Sequence, residues 1–471
     1  MTALWTANEA AAATGGRSNR DWSAEGVSID SRSVGPGDLF IALTGPNFDG
    51  HDFVADALRK GAAAALVARV PEGVAADAAL LVVADTMAAL EDLGRAGRRR
   101  GSAAVIGVTG SVGKTGTKEA LKRALERQGL SFASAGSLNN QWGVPLSLAR
   151  MPRDTAYGIF EMGMNHPGEI AALSQIVRPD VAVITTIEPA HLGFFPSVEA
   201  IADAKAEIFL GMEPGGAAVL NRDNPHFARL AAAARARGIS RIIGFGSDAE
   251  AAVKLVDCQL YASASAVTAS VMGEVVDYCI AIPGRHWVMN SLAVLGAVKA
   301  AGGDVDAAAA AMSSLAPLDG RGRRHSIAVT GGTAELIDES YNASPASMRA
   351  AFAVLAGTEP GKGGRRIAAL GDMLELGNDA RDLHAALAQP LVDARIDLVF
   401  TAGAQMQALH DALPKRMRGG HAATGAALAD SLVQRLRPGD IITVKGSHGS
   451  RMGEVVKHLL AGARVPDAVK G

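Results

Sequence analysis

The chain has 471 residues, enough for about three domains at roughly 100–200 residues each. With 46 Lys and Arg against 48 Asp and Glu, its formal net charge is -2, which lacks the basic excess that a nucleic-acid footprint or an anionic membrane surface requires. Its two cysteines, Cys258 and Cys279, supply neither a disulfide framework nor metal-ligand spacing and suit a reducing, cytoplasmic compartment.

The first 100 residues read as one domain. Thr6 and Glu9 have the spacing of a capping box at the start of a short helix. Val34-Gly35-Pro36-Gly37-Asp38 is a turn between strand candidates, and Leu39 to Leu43 is the better of the two. Strands are expected at Ala64–Val67 and Leu80–Val83, with a helix carrying Leu90 and Leu93 after them. Arg95–Ser102, rich in arginine and glycine, reads as a linker. Ser31 and Arg32 follow a strand beside a loop; a binding pair and a solvated surface pair are both open readings. The start of the chain lacks the basic and apolar regions of a secretory signal. No stretch is apolar for long enough to span a bilayer, so no membrane insertion is expected.

Residues 101–317 form the expected central domain, organised by Ala103 to Leu125. An apolar strand leads into Thr109-Gly110-Ser111-Val112-Gly113-Lys114-Thr115-Gly116 and then a helix. This is the short phosphate-binding form G-x-x-G-K-T. Such a loop turns backbone N–H groups inward around phosphates, with the lysine on the outer phosphates and the threonine hydroxyl on magnesium. Further along, Asn139 and Asn140 precede a turn where Pro145 is expected to interrupt any helix. Glu161 ends an apolar strand, a suitable place for a magnesium ligand at the carboxyl edge of a parallel sheet. His191 follows the next strand, where metal ligation and a purely structural hydrogen bond are both open. Lys205, mid-helix, reads by itself as solvent-facing. From Ala251 to Ile282 the pattern alternates around Gly273, which signals antiparallel strands. Two helices follow, with Asn290 near the start of the first.

Residues 318–471 alternate strand and helix and predict a small, open parallel sheet. Asp338 ends a strand next to Glu339, Tyr341 and Asn342, a cluster suited to orienting a nucleotide or a substrate. Asp372 and Glu375 lie in a glycine-bounded loop at a strand end. Lys445, Ser447, His448 and Arg451 are donor-rich and suit a carboxylate or phosphate, unless they form an ordinary polar surface loop. The fold class expected is therefore α/β in three domains: a first domain, a central P-loop parallel-sheet ATPase domain with an antiparallel addition, and a Rossmann-like open sheet.

These motifs, in this order, resemble the Mur ligase family. Family-level signs are TGSVGKTGTKE (109–119), Glu161, His191, DAKAEIF (203–209) and Asn290 in RHWVMN (285–290). SRSVGPGDLFIAL (31–43), GSLNNQWGVP (136–145), EMGMN (161–165), DESYNASP (338–345), GDMLELG (371–377) and VKGSHGSRM (444–452) are similar to members that use D-alanyl-D-alanine. The resemblance implies an ATP-dependent amide ligase of peptidoglycan precursor synthesis, acting as a cytoplasmic monomer. It would join D-alanyl-D-alanine to a UDP-N-acetylmuramoyl-tripeptide through an acyl phosphate.

The same resemblance implies the residue roles. Ser31 and Arg32 would hold the UDP part, while Asn139, Asn140, Asp372, Glu375, Lys445, Ser447, His448 and Arg451 would face substrate. The loop from Thr109 to Gly116, with Asn290, Arg321, Arg323 and Asp338, would hold ATP. Thr115, Glu161 and His191 would hold magnesium, two ions in all, together with Lys205 as a carbamate; this reverses the solvent-facing reading of that lysine. Lys114, Glu161, His191 and Lys205 would be catalytic. Three positions depart from the family pattern: Gly116 where a second hydroxyl residue is usual, Trp287 where asparagine is common, and His448 where arginine is frequent. A nucleotide-switched binding protein is the alternative of a different class.

Overall fold

A computed structural model of the chain describes residues 3–190 and 192–462. Its strands form three large sheets and two small two-stranded ribbons. The five-stranded N-terminal sheet has the spatial order Arg17–Ser18, Leu80–Val82, Ala64–Val67, Asp38–Ile41, Gly26–Ser28, parallel except at its first pair. Thr6 and Glu9 do form the reciprocal capping box at the helix Ala7–Thr14.

The nine-stranded central sheet runs Ser131–Ala133, Tyr157–Glu161, Ala104–Thr109, Val181–Ile184, Ala217–Asn221, Arg241–Gly246, Val253–Leu260, Ser265–Val271, Glu274–Ile280. It is parallel until the strand Val253–Leu260, and the last two strands are the expected antiparallel addition. Alternate residues of each strand feed opposite layers. Ile106 and Val108 enter the core shared with the helix Arg285–Ala300, while Val105 and Phe160 enter the core on the other face. The strand Ala104–Thr109 lies where the chain stops adding strands on one side and begins on the other. Ligands in open α/β sheets bind outside the carboxyl ends of strands at such a switch.

The six-stranded C-terminal sheet is ordered Arg323–Val329, Gly332–Glu339, Ile441–Lys445, Arg366–Gly371, Leu398–Ala402, Arg418–Ala422. Its first two strands form a hairpin and the rest are parallel. Here too the switch is central, because the last strand, Ile441–Lys445, inserts between Gly332–Glu339 and Arg366–Gly371. Glu339, Gly371 and Lys445 therefore share one edge. The α/β class, the mixed central sheet and the open C-terminal sheet are as the sequence predicts.

Two local expectations are corrected. Arg95–Ser102 is not a linker: the helix Thr86–Arg99 runs through most of it. Its glycines serve close packing. A Cβ on Gly97 would sit 2.3 Å from the Leu148 carbonyl oxygen, and one on Gly94 would sit 3.0 Å from Pro145 Cα. Pro145 does not interrupt a helix either. It lies in the first turn of the helix Gly143–Arg150, where a missing N–H costs no helical hydrogen bond. That helix completes the N-terminal core with Leu146 and Ala149. The Trp5 indole N–H donates to the Ala149 carbonyl at 2.9 Å, and the Arg100 guanidinium lies 4.5 Å from the Trp5 ring centroid. The first sheet is thus braced on the central one through one helix.

Gly97→Ala is expected to destabilise this joint by about 1–3 kcal/mol, because the added methyl meets backbone, which cannot rotate away. Thermal unfolding followed by circular dichroism checks it, with a lowered first transition as the expected result.

Candidate active site

The loop after the strand Ala104–Thr109 is shaped by its glycines. Gly110 has φ +144 and lies against Thr185, whose hydroxyl a Cβ would meet at 1.9 Å. Gly113 has φ +86, and a Cβ there would meet the Asn290 amide oxygen at 2.9 Å. Thr185 donates its hydroxyl hydrogen to the Val112 carbonyl at 2.6 Å, and the Ser111 N–H donates to the Thr186 carbonyl at 2.9 Å. The loop is therefore pinned from outside with its interior free. The helix Lys114–Leu125 begins at Gly113 with no side-chain cap, so its first N–H groups face the loop without a side-chain acceptor. Lys114 folds back, its ammonium donating to the Gly110 carbonyl at 2.8 Å.

Glu161 is 1% exposed. Asn139 donates its amide hydrogen to Glu161 Oε1 at 2.8 Å, while Glu161 Oε2 is buried with no hydrogen-bond partner among the described residues. Asn139 is held by its own backbone, whose carbonyl accepts from the Gly163 N–H at 2.8 Å. Lys118, absent from the sequence-based site, is fully buried and donates to the carbonyls of Ser134 at 2.6 Å and Gly136 at 2.8 Å. It fixes the segment that leads into Asn139.

Lys205 is 1% exposed, which overturns the solvent-facing reading. Burial, with the nearby charge of Lys114 in second place, holds its amine well below the ordinary lysine range. Burial also lowers Lys114; the Glu161 carboxylate opposes that shift and the Arg321 guanidinium adds to it. Burial raises Glu188, and Arg349 of the helix Pro345–Ala356 opposes that shift. His191 lies outside the described residues.

The carboxyl edge of the third sheet faces this floor across a cavity of about 730 Å3. Its walls include Ser111–Gly116, Asn139, Glu161 and Asn290 on one side and Arg321, Glu375, Lys445, Ser447 and His448 on the other. Tyr341 donates its hydroxyl hydrogen to Ser137 Oγ at 2.5 Å, a direct bridge between the two sheets' loops. The Arg321 guanidinium lies 4.3 Å from the Tyr341 ring centroid, and the His448 ring lies 5.8 Å from it. Glu375 has φ +63, and its carbonyl accepts from the Gly193 N–H at 2.9 Å, a second bridge. Lys445 is 3% exposed and donates to Glu339 Oε2 at 3.2 Å and the Asn342 carbonyl at 3.0 Å.

Other sequence-predicted residues sit behind the wall or away from it. Asp338 accepts from the Gly320 N–H at 3.2 Å and from the Ser340 N–H at 3.0 Å, tying down the connection between sheets. Asp372 accepts from the Met406 N–H at 2.8 Å, and its carbonyl accepts from the Ser447 N–H at 3.0 Å, so it shapes two loops. Arg323 is exposed and pairs with Asp319, leaving Arg321 as the arginine on the cavity. Arg451 is exposed in a left-handed turn with φ +55 and is not among the wall residues, whereas His448 is. Asn140 caps the helix Gly143–Arg150 by accepting from the Gly143 N–H at 2.9 Å. Ser31 and Arg32 lie on the N-terminal unit. The Arg32 side chain is 88% exposed and pairs with Asp30 at 2.7 Å, which holds the Asp30 carboxyl at about 2. Sequence reasoning also passed over Ser137, Thr185 and Glu188. Ser137 stands inside GSLNNQWGVP, but only the fold brings Tyr341 to it.

The donor set fits a magnesium-bound triphosphate. Magnesium keeps several waters and takes one or two carboxylates plus phosphate oxygens, and the orphaned Glu161 Oε2 beside an uncapped helix N-terminus suits that demand. Among the described residues no group of three His, Cys, Asp or Glu could by itself hold a metal ion. No helix among those residues is long and apolar enough to cross a membrane.

A phosphate-binding loop on a parallel sheet, facing a second open sheet across a polar cavity, defines a nucleotide-dependent enzyme whose reactants meet between domains. Family models match along the chain: "Mur ligase family, catalytic domain" over 23–98, "Mur ligase middle domain" over 108–298 and "Mur ligase, glutamate ligase domain" over 322–448. The UDP-N-acetylmuramoyl-tripeptide--D-alanyl-D-alanine ligase of Rickettsia prowazekii is 34% identical over 455 residues, 97% of this chain and 99% of that one. A crystal structure of MurF from Acinetobacter baumannii superposes with TM-score 0.84 at 30% identity, covering 97% of this chain and 99% of that one. A MurF ligase of Thermotoga maritima, solved in complex with ADP, superposes with TM-score 0.77 at 28% identity, covering 93% and 97%. The chain belongs to the Mur ligase family.

Tyr341→Phe removes the hydroxyl bridge to Ser137 without changing the ring's packing on Arg321. A lost hydrogen bond of this kind is worth about 0.5–1.5 kcal/mol, so KM for the cavity's ligands should rise up to about tenfold. Steady-state kinetics alongside a melting curve check this, with an unchanged melting temperature expected.

Proposed function

We propose that the protein is an ATP-dependent amide ligase that joins D-alanyl-D-alanine to a UDP-N-acetylmuramoyl-tripeptide, giving the UDP-linked pentapeptide, ADP and phosphate. The observation that carries this reading is the cavity itself. An open phosphate loop and an orphaned carboxylate oxygen face the Arg321, Lys445 and His448 side of another domain. End-to-end similarity to the Rickettsia prowazekii ligase, whose name states this reaction, supports it.

The chemistry follows from the reactants. A carboxylate is a poor electrophile, because its charge repels an attacking amine and it lacks a leaving group. Transfer of the γ-phosphoryl group of ATP to a carboxylate oxygen makes an acyl phosphate and releases ADP. The amine of D-alanyl-D-alanine then attacks the acyl carbon, the C–O bond to phosphate breaks, and the amine loses a proton. Lys114 moves from the Gly110 carbonyl to the outer phosphates, where its charge offsets that of the transferring group. The backbone N–H groups of Val112 to Gly116 hold the remaining phosphates, and Asn290, packed on Gly113, borders the adenine.

Thr115, Glu161, His191 and Lys205, the last as a carbamate, would hold two magnesium ions. These would screen repulsion between carboxylate and triphosphate. Burial shifts the Lys205 amine toward its neutral form, the form that reacts with carbon dioxide, and the resulting anion suits a metal as an ammonium does not. Residues 1–100 take the UDP end, with Arg32 oriented by Asp30. Residues 101–317 take ATP. Residues 318–471 take the incoming amine through the Asp372–Gly377 and Lys445–Arg451 loops. The bridges at Tyr341 and Glu375 keep the cleft closed and exclude the water that would hydrolyse the acyl phosphate.

Phosphate release measured with ATP, UDP-muramoyl tripeptide and D-alanyl-D-alanine tests the reading: turnover is expected only with all three, and a rate indifferent to the peptides would mark a nucleotide switch instead. Lys114→Ala should lower kcat by roughly 100-fold or more while the fold persists. Lys205→Ala should likewise lose activity and regain part of it on addition of a short-chain carboxylic acid. Wild-type activity in that variant refutes the lysine's role.

A further inference from the structure

Two of the three departures from the family pattern touch each other. Gly116 stands in the first turn of the helix Lys114–Leu125 and is not among the glycines with positive φ, so its backbone does not require glycine. Glycine also weakens a helix relative to alanine. The reason for it is steric. A Cβ at position 116 would lie 2.9 Å from Trp287 Cη2, 3.3 Å from Cζ2 and 3.5 Å from Cζ3. Trp287 cannot yield easily, because its ring packs against the core beneath the helix Arg285–Ala300.

The contact belongs to a pattern. Trp287 and Asn290 are three residues apart on one face of their helix. Gly113 and Gly116 have the same spacing across from them, and Gly113 admits Asn290 as Gly116 admits Trp287. All four residues line the cavity. Phosphates held at Gly113–Thr115 put the nucleoside end of the ligand along this second helix. An indole there offers a flat apolar face to a base or ribose.

We propose that Trp287 is a nucleotide-positioning residue that forms the aromatic wall of the ATP site, and that Gly116 is kept small to seat it. This rests on the reading of the cavity as the ATP site. The two positions act as one unit, so their effects on nucleotide affinity are coupled. With no side chain at 116, that position contacts the phosphates only through its backbone N–H, and the indole covers the space a side chain would fill.

The test uses the full chain and ADP, with affinity from calorimetry and with tryptophan fluorescence and melting temperature as further readouts. Trp287→Ala is expected to raise the ADP Kd about tenfold, in line with loss of one aromatic stacking partner. Trp287→Phe should keep the wild-type melting temperature and lose most of the ADP-induced fluorescence change. Gly116→Ser should weaken ADP binding by itself, yet Gly116→Ser with Trp287→Ala should bind ADP no more weakly than Trp287→Ala alone. Multiplying losses in the double variant, or an unchanged Kd in Trp287→Ala, overturns the proposal alone. A wild-type chain that fails to bind ADP overturns both the proposal and the reading beneath it.

Discussion

Amines held out of water, with too little anion beside them to favour their charged forms, are the constraint on which this structure turns. Burial depresses both Lys114 and Lys205, and the charge of Lys114 adds to the shift at Lys205 as that of Arg321 adds to the shift at Lys114. Glu161 opposes the shift at Lys114 but leaves one oxygen without a partner. Interactions between charges strengthen as water is removed, and a buried charge that remains unpaired is costly. A triphosphate and a carboxylate substrate would bring the anion that this floor lacks. The floor of the cleft is therefore selective for the reactants before any reaction begins.

Keeping such a floor in place requires a rigid support, and backbone carbonyls and packed glycines supply it. Lys118 donates to two carbonyls of the segment before Asn139 and pairs with Glu119 at 2.8 Å. Thr185 and Ser111 pin the phosphate loop from outside. The N-terminal sheet is locked through the helix Gly143–Arg150, whose close approach to Gly94 and Gly97 leaves no space for side chains. The third sheet is attached differently. Its tie to the central domain runs through Gly320, with φ +71, and Gly322, with φ +94, clamped by Asp338. Its hydrogen bonds across the cleft include those from Tyr341 to Ser137 and from Gly193 to the Glu375 carbonyl. One face is built to stay and the other to arrive.

Much of this was legible in the sequence where chemistry is local. The phosphate loop announces itself by glycine spacing after an apolar strand, and the capping box at Thr6 and Glu9 by its offset. The antiparallel addition follows from alternation around Gly273. What stayed hidden depends on close approach between distant segments. Gly97 looks like a linker residue in a window of arginines, and only the neighbouring helix explains it. Pro145 looks like a helix breaker because its position in a first turn is invisible until the start of the helix is known. Lys205 looks exposed because nothing near it in sequence signals burial; family resemblance, not pattern, assigned it a site role. Arg321 and Arg323 are equivalent in sequence, and strand pairing puts only one of them on the cavity. Ser137 and Tyr341, Gly116 and Trp287 are pairs that no periodicity links.

The central claim is that a substrate carboxylate takes the γ-phosphoryl group of ATP within this cleft before the amine arrives. The direct measurement uses tripeptide substrate labelled with oxygen-18 in its terminal carboxylate, turned over with ATP and D-alanyl-D-alanine, followed by mass analysis of the phosphate released. Passage through an acyl phosphate predicts one labelled oxygen in each phosphate and loss of one from the peptide. Formation of the UDP-linked pentapeptide with phosphate that carries no label would contradict the account.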